Sequence, residues 1–170
     1  MRLGKEGGAP PGCLRRRHGQ APSGDLYHTP FARPSVESFT GGLFASEITS
    51  ICGASSFFKG SVVTYATEEK INVVGVSKEV VDKYGVVSRE CAEEMATKGA
   101  KCLNVDYCIS FTGNAGPTAM EGKPVGLIYI GVFDGKICHV LEKNLIGTRN
   151  FVRKEAILIA LDFLETLISK

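Results

Sequence analysis

The chain has 170 residues, 44% hydrophobic and 22% charged, with a formal net charge of +2 at pH 7. This length suits one domain with a substantial core. The nearly balanced charge gives no reason to expect a nucleic-acid partner. The sequence also holds no run of 18 apolar residues, so we expect no membrane span and no membrane partner.

Residues 1–35 differ from the rest of the chain, because Gly, Pro and Arg dominate and no apolar periodicity is visible. Residues 1–34 carry a net charge of +4, and the remainder carries −2. Such a segment buries too little apolar surface to offset its ordering entropy, which predicts a disordered or loosely packed tail. A targeting peptide or a tail from an unusual start site are the alternatives. The three arginines at 15–17 leave a nucleic-acid role as a distant third.

Cysteine usage bears on metal binding and on the redox compartment. The six cysteines are Cys13, Cys52, Cys91, Cys102, Cys108 and Cys138. None forms a C-x-x-C pair and only three histidines are present, so a zinc site is not expected. Most of the cysteines lie within apolar patterns, which predicts buried thiols in a reducing compartment, the cytoplasm.

Apolar spacing predicts helices and strands that alternate along the chain. Helical patterns cover 43–52, a short segment from Glu68, 78–84, 89–103 and 148–169, with Ser77 and Ser88 as N-caps. Strand patterns cover 61–65, 107–111, 125–133 and 136–146, and Asp134-Gly135 predicts a hairpin between the last two. This order predicts α/β architecture: a single three-layer domain with a mixed β-sheet and helices on both faces.

Two glycine-rich segments follow strand-like runs, and each could bring backbone N–H groups to a ligand. The first, residues 38–42, reads Ser-Phe-Thr-Gly-Gly and leads into a helical pattern. The second, residues 111–117, reads Phe-Thr-Gly-Asn-Ala-Gly-Pro. Glycine pairs before helices are also common for purely structural reasons, so each segment alone is a weak signal.

A set of hydroxyl and lysine side chains is the best candidate for chemistry. His18 and His28 lie in the tail, and His139 reads as a structural residue within a strand. The remaining candidates are Ser38, Thr40, Ser55, Ser56, Tyr65, Lys70 and Thr112. A neutral lysine can activate a serine when its pKa lies well below about 10.4.

Each of these candidates also has a structural interpretation. Lys70 reads as a solvated surface lysine, Ser55 as a turn residue, and Thr112-Gly113 as a tight turn. Arg149, at the start of the last helix, is a surface residue or a phosphate clamp.

Taken together, these segments make residues 36–170 resemble the CinA C-terminal domain family, PncC-type nicotinamide-nucleotide amidohydrolases. Seven pieces occur in the family's order, at 37–42, 53–58, 63–70, 84–88, 112–117, 123–126 and 147–149. The resemblance implies hydrolysis of the carboxamide of nicotinamide mononucleotide, giving nicotinic acid mononucleotide and ammonia. That activity belongs to pyridine-nucleotide salvage.

The resemblance also implies roles for individual residues, in a Ser/Lys mechanism without metal or cofactor. Ser55 would be the nucleophile and Lys70 its base, with Tyr65 assisting proton transfer, and Ser38 is the rival nucleophile. The implied substrate-binding residues are Ser38, Thr40, Gly41, Gly42, Thr112, Gly113, Ala115, Gly116 and Arg149. The expected partner is a small-molecule nucleotide, and the widely apolar last helix favours a homo-oligomer.

The sequence departs from the family pattern in three places. Phe39 replaces a cysteine, Asn114 replaces an apolar residue, and Pro34 lies where the first strand should run. Since a proline cannot donate to a central ladder, we expect a weak or missing first strand. This favours an alternative function, a catalytically weak nucleotide-binding or interaction domain with the same fold.

Overall fold

A computed structural model describes residues 34–168, so the predicted tail lies outside it except for Pro34 and Ser35. The strands are β1 (Ser35–Glu37), β2 (Ser61–Val63), β3 (Cys108–Gly113), β4 (Leu127–Phe133) and β5 (Cys138–Asn144). The helices are α1 (Leu43–Thr49), α2 (Thr67–Glu69), α3 (Lys78–Tyr84), α4 (Arg89–Leu103) and α5 (Arg149–Ile168). A 3-10 turn covers Ala54–Ser56, and a π-helical turn, Lys70–Val74, continues α2. None of the helices in this range is long and apolar enough to cross a membrane.

The five strands form one mixed sheet in the order β2-β1-β3-β4-β5. β1 runs parallel to both β2 and β3, whereas β4 is antiparallel to β3 and to β5. The predicted hairpin between β4 and β5 is confirmed, with Asp134 N–H donating to the Ile137 carbonyl at 3.1 Å.

Helices cover both faces of the sheet, which confirms the predicted three-layer α/β domain. On one face α1 and α5 pack through Phe44, Ala156 and Leu164 against Phe111 and Ile130 of the sheet. On the other face lie α3 and α4, where the buried residues are Val36, Val74, Val76, Val86, Val87, Cys91, Met95, Ala100 and Cys108. Phe39, the replacement in the first motif, is buried in the α1–α5 layer.

The first strand, which was expected to be weak or missing, is present. β1 is three residues long, fully buried, and paired on both sides in the middle of the sheet. Pro34 precedes it and contributes its carbonyl, which accepts the Ile109 N–H at 3.0 Å. Its missing N–H therefore removes no bond from Ser35–Glu37.

The predicted starts of the helices agree with the structure better than the predicted ends of the helices and strands. Ser88 caps α4, with its Oγ accepting the Cys91 N–H at 3.1 Å. Ser77 precedes α3 as predicted, but its hydroxyl bonds the Glu94 carboxylate at 3.0 Å instead of capping. The carboxylate competes successfully because it also accepts the Ser77 N–H at 2.6 Å. α1 ends at Thr49, three residues earlier than its apolar pattern.

The cysteines are less uniformly buried than the sequence predicted. Cys91 and Cys108 are buried and Cys138 is half-buried, and burial raises the pKa of each of these thiols to about 12. Cys52 and Cys102 are exposed, because one follows the end of α1 and the other lies in the last turn of α4. Apolar neighbours in sequence therefore did not imply burial at helix ends.

Candidate active site

The candidate site lies where the three parallel strands end. Because β1, β2 and β3 are parallel, the segments that follow them reach the same edge of the sheet. The chain leaves β1 for β2 on one side and later enters β3 on the other side. In open α/β sheets, ligands bind in the crevice at the point where the strand order reverses in this way.

Arg149, at the start of α5, joins two of these segments. Its Nη1 donates to the Gly116 carbonyl of the second glycine-rich loop at 2.7 Å. Its Nη2 donates at 2.6 Å to the hydroxyl of Tyr65, a residue that follows β2. The Tyr65 side chain is 60% exposed, so a ligand in the crevice can reach it. The structure thus brings together Arg149, Tyr65 and Gly116, three of the predicted site residues.

Lys70 is buried, which excludes its interpretation as a solvated surface lysine. Only 1% of the residue is exposed, and its Nζ donates to the Thr64 carbonyl at 2.7 Å. Burial lowers the pKa of Lys70 from its ordinary 10.5, against opposing effects of Cys91, Glu121 and Glu68. Desolvation disfavours the ammonium form, so the site favours a neutral amine.

Neither candidate nucleophile is hydrogen-bonded to that amine. Ser55 is exposed on the 3-10 turn, and within residues 34–168 no hydrogen bond joins its hydroxyl to Lys70. Ser38 is half-buried directly after β1, where its N–H donates to the Phe111 carbonyl at 3.0 Å. The hydroxyl of Ser56 instead donates to the Gly53 carbonyl at 2.8 Å within the turn.

The carboxylate of Glu37 occupies the start of α1. It accepts the N–H groups of Gly42 at 2.9 Å, Phe44 at 3.2 Å and Ala45 at 3.0 Å, and the residue is fully buried. A negative charge at a helix N-terminus is favourable, so this side chain fills the position that a bound anion could take. Sequence reasoning placed Glu37 in a motif but assigned it no role.

The two glycine-rich loops differ in the donors they can offer. In the first loop, Gly41 N–H donates to the Ser38 carbonyl at 3.0 Å, and the Gly42 N–H is held by Glu37. In the second loop, the N–H groups of Ala115 and Gly116 have no hydrogen-bond partner within the described part of the chain. Backbone donors for a ligand are therefore available in the second loop and not at Gly41 or Gly42.

Side chains fix the second loop from inside. The Asn114 amide donates to the Met120 and Lys123 carbonyls at 3.2 and 3.1 Å, and its oxygen accepts the Met120 N–H at 3.1 Å. A non-polar residue, usual in the family at this position, could not make these bonds. Thr112 is buried, and its hydroxyl donates to the Val86 carbonyl. At Gly113 a Cβ would lie 2.7 Å from the Ile128 Cα, so the close strand contact requires glycine.

Sequence reasoning missed Arg153, which lies one helical turn after Arg149. Its Nη2 donates to the Thr40 carbonyl of the first loop at 2.6 Å. The i, i+4 spacing of the two arginines was the available signal, because it places both on one face of α5.

As for metals, residues 34–168 hold no group of three or more His, Cys, Asp or Glu side chains suited to bind an ion.

The fold and the site define a class of protein: a three-layer α/β domain with a buried lysine beside an arginine–tyrosine pair at the carboxyl edge of its sheet. A family model described as the CinA C-terminal domain matches residues 34–168. The chain therefore belongs to the CinA C-terminal domain family.

Individual relatives agree with this family. The CinA-like protein of Fervidobacterium nodosum is 45% identical over 136 residues, which cover 79% of this chain and 33% of that relative. The CinA-like protein of Endomicrobium trichonymphae is 46% identical over 130 residues, covering 76% and 30% of the two chains. The chain thus spans about a third of the length of the curated relatives it matches.

Solved structures of similar proteins share the fold. The competence damage-inducible protein A of Klebsiella pneumoniae superposes with a TM-score of 0.81 at 27% identity, over 85% of this chain and 91% of that one. The competence/damage inducible protein CihA of Agrobacterium tumefaciens gives a TM-score of 0.78 at 29% identity, over 84% and 88%.

Proposed function

We propose that the protein hydrolyses the carboxamide of nicotinamide mononucleotide to nicotinic acid mononucleotide and ammonia. One observation carries the proposal: Lys70 is buried with a lowered pKa and is bonded to the carbonyl of Thr64, the residue before Tyr65, whose hydroxyl is bound by Arg149. A neutral lysine is the base that a serine amidohydrolase without a catalytic histidine needs. Family membership and the motif resemblance point to the same reaction.

In the proposed acylation step, neutral Lys70 accepts the proton of the Ser55 hydroxyl while its oxygen attacks the carboxamide carbon. The resulting ammonium of Lys70 returns this proton to the amide nitrogen as the C–N bond breaks. Ammonia leaves, and the acyl group stays on Ser55 as an ester. Water then attacks the ester with Lys70 again as base, which releases the acid and restores Ser55.

This step requires Ser55 to come within hydrogen-bond reach of Lys70 when substrate binds. Catalytic hydrogen bonds are often long or misaligned before the substrate is bound, so the exposed position of Ser55 is compatible with the proposal. The 3-10 turn that carries it is short and begins after Gly53, which has φ of 81°. Ser38 is the alternative nucleophile, because it directly follows β1 at the same edge of the sheet.

The second loop and Tyr65 have separate proposed roles. The N–H groups of Ala115 and Gly116 stabilise the oxyanion that forms on the carboxamide oxygen. Tyr65 accepts a hydrogen bond from Arg149, which leaves its own O–H to donate to the leaving nitrogen. Gly41, which lies against Tyr65, and Gly42 contact the substrate, and Thr40 before them is fully buried.

Ammonia release from nicotinamide mononucleotide by the purified chain tests this proposal, beside Ser55→Ala, Ser38→Ala and Lys70→Met. We expect release by the parent, loss of at least about 10³-fold in Ser55→Ala and Lys70→Met, and near-parental release by Ser38→Ala. Loss in Ser38→Ala with activity kept in Ser55→Ala would transfer the nucleophile to Ser38. A folded parent that releases no ammonia would overturn the proposal.

A second candidate function is a catalytically weak nucleotide-binding domain. The observation that favours it is the absence, within residues 34–168, of a hydrogen bond between Ser55 and Lys70. This alternative predicts that the folded chain binds nicotinamide mononucleotide in a calorimeter but releases no ammonia from it.

A further inference from the structure

Arg153 lies against the first glycine-rich loop at the same edge of the sheet as the candidate site. Its Nη2 donates to the Thr40 carbonyl at 2.6 Å and lies 3.7 Å from the position that a Cβ on Gly41 would take. Tyr65 contacts the same glycine, with its Cε2 4.0 Å from that position. Arg153 and Arg149 therefore border one small region between α5, the first loop and Tyr65.

The two guanidinium groups lack negative partners. Within the described part of the chain, no carboxylate lies within 4.0 Å of either Arg149 or Arg153. The Nε of Arg153 and the Oγ1 of Thr40 are both buried without a hydrogen-bond partner, and Thr40 is fully buried. Buried polar atoms without partners are rare in folded proteins, and a half-buried cation without a counter-charge is costly.

The chemistry of this region selects an anion. The groups that lack partners are a guanidinium N–H, which only donates, and a hydroxyl, which can donate. The planar arginine fork matches the oxygens of a phosphate or a carboxylate, and two arginines suit a doubly charged phosphate. The nearest acid along the first loop, Glu37, is already committed to the N–H groups of α1.

We propose that Arg153 is a specificity-determining residue that binds, together with Arg149, the phosphate of a nucleotide substrate. This inference rests on the proposed amidohydrolase function. It identifies the residues that bind the phosphate, the part of the substrate away from the carboxamide. Arg149 also donates to Tyr65, which acts at the carboxamide, whereas Arg153 contacts no part of the substrate other than the phosphate and otherwise holds the Thr40 carbonyl. A substrate without the phosphate should then lose the contribution of Arg153 entirely.

The test compares kcat/KM for nicotinamide mononucleotide and for nicotinamide riboside, which lacks the phosphate. We expect Arg153→Gln to lower the value for the mononucleotide about 10- to 100-fold, the effect of removing a hydrogen bond to a charged group. The value for the riboside should stay at that of the parent, and Arg153→Lys should recover part of the loss. Lys154→Gln is the matched control, because it removes the same charge from an exposed neighbour on α5.

An equal loss for both substrates would overturn the proposal, because Arg153 would then act only by holding the Thr40 carbonyl in place. Binding measured by calorimetry separates this result from failure of the proposed reaction. If no ammonia is released, tighter binding of the mononucleotide than of the riboside, lost in Arg153→Gln, still supports the phosphate site. A folded parent that binds both molecules equally, or an Arg153→Gln variant that keeps the preference, contradicts it.

Discussion

At the scale of single residues, the amine of Lys70 is buried, and the backbone carbonyl of Thr64 accepts its hydrogen bond. Burial of a lysine is unfavourable while the side chain carries its charge, and proteins meet this cost by shifting the pKa downward. The same burial that weakens the folded state therefore prepares the group for its proposed role as a base.

This coupling predicts how stability depends on pH. The folded state holds the Lys70 proton less tightly than the unfolded state, whose pKa is the ordinary 10.5. Because the unfolded chain then binds more protons, the free energy of unfolding rises with pH from the lowered pKa of Lys70 up to 10.5. Lys70→Met should lose this rise, so the parent should become more stable relative to the variant as pH is raised toward 10.5.

Urea unfolding of both proteins gives the comparison. The thiols of Cys108 and Cys138 act in the opposite direction above pH 9.0, since burial raises their pKa to about 12, but both proteins contain them unchanged. Cys91 is coupled to Lys70, so the comparison is made below pH 9.0, where this thiol stays protonated in both proteins. A difference between parent and variant that stays constant with pH would show that burial leaves the Lys70 proton as tightly held as in the unfolded chain.

The sequence could identify Lys70 as a candidate but not its burial. Its motif and its place after a strand are local features, and they led to the correct residue. Burial instead depends on tertiary contacts, and the effects of Cys91 in α4 and of Glu121 between β3 and β4 on the pKa of Lys70 show that distant parts of the chain lie close to it. Arg153 was missed for a similar reason, since its contact with Thr40 joins residues 113 positions apart.

At the scale of elements, α1 depends on a side chain that lies outside it. The helix is seven residues long and has no side-chain cap at Gly42. Helices this short are marginal without tertiary contacts, and their first N–H groups need partners. Glu37 supplies them from the end of β1, so strand and helix are fixed relative to each other by one carboxylate.

We therefore expect Glu37→Ala to destabilise the fold by roughly 2–4 kcal/mol, because three N–H groups lose their acceptor at a buried position. Glu37→Gln keeps one acceptor oxygen and should fall between the parent and the alanine variant. Urea unfolding monitored by circular dichroism measures both. Glu47→Ala, on the same helix but half-exposed, is the control and should change stability by less than about 0.5 kcal/mol.

Equal stability of the parent and Glu37→Ala would mean that water replaces the carboxylate at no cost, and that α1 is held by Phe44 and Ile48 alone.

Local signals in the sequence predicted α4 and its cap well, because a 15-residue apolar pattern and a capping serine lie within the element itself. The presence of β1 was not predicted with the same success, because its three residues are held by strands on both sides and no local sequence pattern indicates such pairing.

At the scale of the whole molecule, alternation of helices and strands was enough to predict the mixed three-layer α/β architecture. The strand order was not predictable, because the sequence does not record which of β2 and β3 lies on either side of β1. That order creates the crevice, since the chain leaves β1 in one direction and returns in the other. Each site residue therefore belongs to a motif that is recognisable locally in the sequence, but the strand order is what brings these motifs together.

Two expectations about the whole molecule stay predictions. The homo-oligomer and the cytoplasmic location were inferred from composition and from the apolar width of α5. Phe151 and Leu158 on that helix are 47% and 55% exposed, and exposed apolar side chains of this kind are compatible with a subunit interface. The assembly matters further because this chain spans about a third of its curated relatives.

The proposed mechanism requires buried Lys70 to act as a neutral base in amide hydrolysis. The pH dependence of kcat/KM for ammonia release from nicotinamide mononucleotide tests it most directly. We predict that kcat/KM rises with pH through a group whose pKa lies below 10.5, and that Lys70→Met abolishes both the rise and the activity. A Lys70→Met variant that retains ammonia release with the parental pH profile would contradict the account.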